Sequence, residues 1–270
     1  MHKSQILNAL LLTVVLLASL QGTAFGSAPL QVKTPTEAEI ERQLQRFASS
    51  DPDERRDALM RLGTMHRVEA SRAAKIGLTD TSPMVRAVAA KAILSLNQAE
   101  SVPALTPLLA DKDEFVRRET AYALGLTKSR DATSSLVGLL LNDKEDGVRA
   151  AAAVALGQVG DESAVVALAN VLAPNVAAFL QLKKIKIEKN EFVLRAAATS
   201  LGQIKSRAGV PALIAALDNE SYVEDIRREA ARSLGLIGDP SALPALQKAT
   251  SAADPYLAEI ALASARKIRP

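Results

Sequence analysis

The sequence predicts an all-α fold, an α-solenoid of about seven helical hairpins with a period of about 31 residues. Three observations predict it. A phrase recurs: Val116-Arg117-Arg118 through Ala123-Leu124-Gly125 returns as Val148-Arg149 through Ala155-Leu156-Gly157, and as Ile226-Arg227-Arg228 through Ser233-Leu234-Gly235. Weaker copies start at Glu54, Val85, Val193 and Leu257, so successive starts are 31, 31, 32, 45, 33 and 31 residues apart. A near-constant period of this size marks stacked helical pairs. Composition agrees: 48% of residues are hydrophobic but only 3% aromatic. A core of Ala, Leu, Val and Ile suits a thin layered stack. Stacked repeats share one continuous core, so the 270 residues divide at no natural internal boundary.

The chain opens with an address. His2 and Lys3 precede an apolar run from Ile6 to Leu20, broken only by Asn8, Thr13 and Ser19. Gly22, Thr23, Ala24, Gly26, Ser27 and Ala28 follow. Basic start, short apolar core and small residues are the pattern of a secretory signal peptide, here 1–26. The run falls short of the ~20 residues that span hydrocarbon. Cleavage after Gly26 or Ala24 is expected. Residues 27–35, with Pro29 and Pro35, read as an extended lead-in, and 36–270 as the solenoid.

Within a unit, the second helix is read from Val116. At 100° per residue, Val116, Thr120, Ala123, Leu124 and Thr127 share one face, while Arg118, Tyr122 and Leu126 share the other, with Glu119 beside them. The pattern predicts an amphipathic helix with a narrow buried stripe. Gly125 falls where a side chain would hold neighbouring elements apart, and Gly63, Gly157, Gly202 and Gly235 repeat it. A first helix precedes each of these, as in Val102 to Leu109, Ser163 to Leu172 and Val210 to Leu217. Their prolines suit a first helical turn, where a missing N–H is harmless. Asp111-Lys112-Asp113 and Asn142-Asp143 supply turns and N-caps between the helices. Gly160-Asp161-Glu162-Ser163 and Gly238-Asp239-Pro240-Ser241 link one unit to the next. The end units depart from the pattern, with Glu54 for Val, and with Ala258 for Arg and Arg266 for Gly. Terminal repeats need such departures, because each has an open face that must tolerate water.

The 45-residue spacing marks an insertion at about 174–189. It carries Lys183, Lys184, Lys186 and Lys189 against one acid, Glu188, together with Phe179, Leu180, Leu182, Ile185 and Ile187. Those four lysines are candidates for docking an acidic partner or an anionic envelope surface. Packing of the apolar residues onto neighbouring units is the other reading.

A helix of Leu-x-x-Leu-Leu type, an acidic turn, and Val-Arg-x-x-Ala-x-x-Ala-Leu-Gly resembles the HEAT repeat, in particular the short HEAT-like repeats named after phycobilisome lyases. The resemblance covers about residues 36–270. It implies that second helices line a concave face and first helices a convex one. It implies little about activity, since the family serves many partners. On that face the candidate partner-binding residues are Arg118, Tyr122, Arg195, Thr199, Arg228 and Arg232, from two ridges that recur through the units.

Chemistry is hard to find. Formal charge is +3, and the 33 basic and 30 acidic residues are interspersed, which argues against nucleic acid. There is no cysteine, hence no disulfide, thiolate site or thiol nucleophile. His66 sits between helices, and His2 leaves with the signal. The paired His-Glu motifs of HEAT-like iron hydroxylases do not occur. Nor do a phosphate-cradling Gly-rich loop or Gly-x-Ser-x-Gly. The expectation is an exported, periplasmic or extracellular, monomeric, non-catalytic scaffold. It binds another protein through its concave face, with no nucleic acid, cofactor, metal or small-molecule substrate. Two alternatives stand beside it. One is an accessory subunit of a lyase- or hydroxylase-like maturation system, against which the export signal counts in the case of bilin lyases. The other is an envelope protein held at the membrane by an uncleaved N-terminus.

Overall fold

The computed structural model describes residues 34–173 and 190–268. Among them lie fourteen α-helices and no strand. In order they are α1 Pro35–Phe47, α2 Pro52–Thr64, α3 Val68–Ala74, α4 Pro83–Ala92, α5 Gln98–Leu105, α6 Glu114–Thr127 and α7 Thr133–Asn142. Then come α8 Asp146–Val159, α9 Val165–Leu172, α10 Glu191–Ile204, α11 Val210–Asp218, α12 Glu224–Ile237, α13 Leu243–Ala249 and α14 Pro255–Ile268. They form seven pairs, with even-numbered helices as the second members. No helix of the described residues is long and apolar enough to cross a membrane.

The first of two compact units ends at Ala38, within α1, and the second runs from Glu39. In the first, Thr34 caps α1: its Oγ1 accepts from the Glu37 N–H, and Glu37 accepts in return from the Thr34 N–H. Residues 1–33, where the signal peptide is expected, and the expected insertion at about 174–189 with its four lysines lie outside the described residues.

Local chemistry fixes the helix ends. Asp51, Asp113 and Asn190 open α2, α6 and α10 by accepting backbone N–H groups of the first turn. At the other end α6, α8, α10 and α12 close on a left-handed residue: Lys128, Gly160, Lys205 and Gly238. Ser129, Asp161, Ser206 and Asp239 follow directly, and each caps a short 3₁₀ turn that leads into the next first helix. The two links read from the sequence, at Gly160 and Gly238, are thus members of a set of four.

From α2 to α14 each second helix packs on the next one, and from α4 onward each also packs on its own first helix. First helices meet one another less extensively. This geometry corrects the narrow stripe. On α6 not only Val116, Thr120, Ala123 and Leu124 but also Arg117, Glu119 and Ala121 are buried. A helix with a neighbour on each side and a partner behind it needs more than one buried face. Small residues make the close approach possible. A Cβ on Gly125 would lie 2.8 Å from the Ala155 Cα, and one on Gly202 would lie 2.9 Å from the Ser233 Cα. Ser200 and Ser233 donate their hydroxyls to the Ala153 and Ala198 carbonyls of the preceding second helices, both at 2.8 Å.

The third first helix also differs from expectation. α5 starts at Gln98, so Pro103 lies inside it rather than in its first turn. From Thr106 the chain tightens into a 3₁₀ helix to Ala110. Pro107 removes one more N–H from the α pattern, and the same tightening follows α3 at Lys75–Thr79, where there is no proline.

Candidate functional site

Three second helices carry an aromatic residue at their second position: Phe115 on α6, Phe192 on α10 and Tyr256 on α14. An arginine stacks on each. The Arg118 guanidinium lies 5.1 Å from the Phe115 ring centre, Arg195 lies 5.7 Å from Phe192, and Arg228 of α12 lies 5.3 Å from Tyr256 of α14. Phe192 and Tyr256 are each 65% exposed, a large apolar area for residues held in place by a cation.

The six candidate residues fall into two clusters. Arg195, Arg228 and Arg232 come together with Asp225, Glu229, Tyr256 and Ile260 around an open recess. Thr199 joins them by donating its hydroxyl to Glu229 at 3.3 Å. Arg118 and Tyr122 stand apart on α6, with α8 between the clusters. Arg118 lines a second recess with Glu114, Lys144, Glu145 and Asp146. The basic character read from the sequence is largely compensated. Arg228 grips Asp254 at 2.8 Å through Nε and Nη2 and reaches Asp225 at 2.9 Å. Arg195 lies 3.7 Å from Asp225, and Arg232 pairs with Glu229. Hydrogen bonds from Arg228 hold the Asp254 carboxyl down at about 2. The face therefore offers aromatic surface framed by ion pairs rather than a field of free positive charge.

Sequence reasoning gave the Arg of the Val-Arg motif no role, and the structure gives it one. Arg55, Arg86 and Arg117 point into the turns between helices, where they build a ladder. Arg86 donates Nε and Nη2 to Asp111 at 2.7 and 2.8 Å, and Nη1 to the Asp80 and Thr81 carbonyls. Arg55 holds Asp80 in the same way at 2.7 and 2.9 Å, and Arg117 holds Asp143 at 2.7 and 3.0 Å. Each aspartate also accepts a backbone N–H of its own turn, from Ser82, Asp113 and Glu145. One arginine thus ties its own turn to the next. Hydrogen bonds from Arg55 hold Asp80 below the usual carboxylate range. Burial pushes Asp111 and Asp143 up, but their arginines and turn N–H groups outweigh it, and both end low. The ladder is interrupted at α10, where Leu194 takes the arginine's place and is buried. A signal for it was present: Asp80, Asp111 and Asp143 each stand two residues before a second helix's N-cap, at the repeat period.

Among the described residues no group of His, Cys, Asp and Glu is placed to hold a metal ion. His66 occupies a left-handed position between α2 and α3, with φ 49°.

Comparison with known proteins bears on the family. A search of curated proteins found no match. Among solved structures, the E. coli protein YibA is similar over 86% of this chain and 81% of its own, at 20% identity and a TM-score of 0.57. An engineered protein matches over 86% of this chain and 68% of its own, at 22% identity and a TM-score of 0.54. The complex of CpcE and CpcF of phycocyanin lyase from a Nostoc species matches over 85% and 94%, at 22% identity and a TM-score of 0.50. At these identities the likeness is one of fold. The family model for HEAT repeats matches residues 40–125, 72–157, 108–180 and 176–266, almost the whole repeat array, and the chain belongs to the HEAT-repeat family.

Proposed function

We propose that this chain is an exported, non-catalytic HEAT-repeat scaffold that binds a partner protein through the face built by its second helices. The observation that carries the reading is the cluster on α10, α12 and α14. There Phe192 and Tyr256 stand exposed, and Arg195, Arg228 and Arg232 frame them. Aromatic residues and arginine are the usual anchors of protein interfaces. The carboxylates at the turns have another occupation, since Asp80, Asp111 and Asp143 each hold an arginine and a backbone N–H. That use leaves them no part in acid–base chemistry.

Affinity capture from an envelope extract tests the face. The Phe192→Ala, Arg195→Ala, Tyr256→Ala variant should fold as the parent does, because all three side chains are largely solvent-facing. It should lose partner affinity by about 30-fold or more, the consequence of removing anchors worth about 2 kcal/mol. Equal capture of the same partner by parent and variant would show that the face is idle. Capture of a modifying enzyme together with its protein substrate would make the chain an accessory subunit of a maturation system.

Export rests on the pattern in residues 1–26. N-terminal sequencing of protein recovered from the envelope fraction should read from near Ser27 or Phe25. Recovery of a Met1-containing species in membranes would refute cleavage and make the chain a membrane-retained envelope protein.

A further inference from the structure

At one seam of the array both halves of the ladder's rung are replaced. Arg55, Arg86 and Arg117 stand 25, 25 and 26 residues before the aspartates they grip. Leu194 holds the arginine position on α10, and the residue 25 further on is Asn219. Asn219 keeps the local turn of the rung aspartates. Its Oδ1 accepts the Ser221 N–H at 3.0 Å, as Asp80 accepts that of Ser82 and Asp111 that of Asp113. Neither Leu194 nor Asn219 is charged, so these positions form no guanidinium–carboxylate grip. The tie across this edge is neutral and runs backwards: Tyr222, in the α11–α12 turn, donates its hydroxyl to the Leu172 carbonyl at the end of α9, at 2.7 Å. Nearby, Arg195 lies 3.7 Å from Asp225, with 47% and 58% of the side chains exposed, and a pair so open to water adds little.

The other end of the same seam is tight. In the C-terminal half of α10, Gly202 meets the Ser233 backbone, and the Ser233 hydroxyl reaches the Ala198 carbonyl. The α6–α8 seam, by contrast, is closed at both ends, by Gly125 against Ala155 and by Arg117 on Asp143. The seam after the neutral one is also filled. Arg228 grips Asp254 through Nε and Nη2 and stacks on Tyr256, which joins α12 to α14. Phe192 and Tyr256 therefore stand on opposite sides of the neutral seam.

We propose that the α10–α12 seam is a hinge. The array through α10 and the two units from α11 to α14 pivot where Gly202 meets Ser233. They part at the turn edge, with the Tyr222 hydroxyl as the latch. A hinge confines motion to a few contacts while the blocks on either side keep their packing. Here the motion changes the separation of Phe192 and Tyr256 and the width of the recess between them. A partner that fits one separation better draws the population towards it. That use rests on the reading of the face given above, and the hinge itself does not.

The test needs no partner, so it stands or falls apart from capture by the face. The chain has no cysteine, so introduced pairs carry spin labels uniquely. Glu191→Cys with Ser251→Cys spans the neutral seam and the Arg228 rung, beside Phe192 and Tyr256. Ser50→Cys with Lys112→Cys spans two filled rungs, and all four positions are exposed. Double electron–electron resonance should give a distance distribution about twice as wide for the first pair as for the second. Tyr222→Phe, which removes the latch hydroxyl and keeps the ring, should widen the first distribution further. Leu194→Arg with Asn219→Asp, which supplies the missing rung, should narrow it to the width of the second. Equal widths for the two parent pairs would overturn the hinge. So would a first distribution that Tyr222→Phe leaves unchanged, a measurement that holds even if the rung variant misfolds, or one that a folded rung variant fails to narrow.

Discussion

Leu156→Asp is expected to unfold the middle of the array. Leu156 is fully buried on α8, between α6 and α10 and against its own first helix. Removing a buried leucine costs about 2–5 kcal/mol. The aspartate adds the penalty of an unpaired charge in an apolar site, again several kcal/mol unless it takes up a proton. The sum is comparable to the ~5–15 kcal/mol that holds a whole domain folded. In a repeat array each unit is stabilised by its neighbours, so the lesion spreads to both sides of α8. Thermal melts followed by circular dichroism should show a large loss of cooperative signal. Hydrogen exchange should show lost protection centred on α6 to α10. Leu124→Asp should act in the same way from α6. Leu236→Asp is the control, because that residue is 43% exposed on α12, and it should change stability by no more than about 0.5 kcal/mol. A Leu156→Asp protein that melts like its parent would show that the second helices are not the shared core.

That core was legible in the sequence because its cause is local and periodic. Val116, Leu124 and Gly125 recur at fixed spacing, and a face that repeats every 31 or so residues must meet a copy of itself. Gly125 and Gly202 could be read as close-approach positions without coordinates. Other features depend on contacts that no single helix reveals. Arg117 adjoins Arg118, and a helical wheel places neither of them in a turn 26 residues away, yet Asp143 is where Arg117 goes. Phe115, Phe192 and Tyr256 mark the same helix position, but Tyr256 takes its arginine from the preceding unit, so the set emerges only when α12 meets α14. The basic column was visible and its neutralisation was not, since Asp225 and Asp254 answer Arg195 and Arg228 from neighbouring elements. The α5 boundary was misplaced for a smaller reason. Pro103 was read as a start signal, whereas α5 begins five residues before it, at Gln98.

The ladder yields the second large effect, and its pH dependence separates electrostatics from packing. Arg117→Met should destabilise the protein by about 3–5 kcal/mol at neutral pH, the usual result of removing one partner from a buried ion pair. Asp143 keeps its charge with only 6% of its side chain exposed, and the Asp111 and Lys112 carbonyls lose their donor. Adding Asp143→Asn should restore part of the loss, because the stranded charge then disappears. Acid acts oppositely on parent and variant. In the parent, Asp80, Asp111 and Asp143 titrate below their unfolded value of about 4. Their contribution is complete above that value and is lost as pH falls through the lowered folded values. In Arg117→Met the burial that pushes Asp143 up is no longer answered by the guanidinium, so Asp143 takes up a proton at higher pH and sheds its penalty. The gap between parent and variant should therefore narrow as pH falls from 7 towards 3, as read from urea midpoints at constant ionic strength. A gap that stays constant would assign the loss to packing of the arginine stem, and one that widens would contradict the ladder altogether.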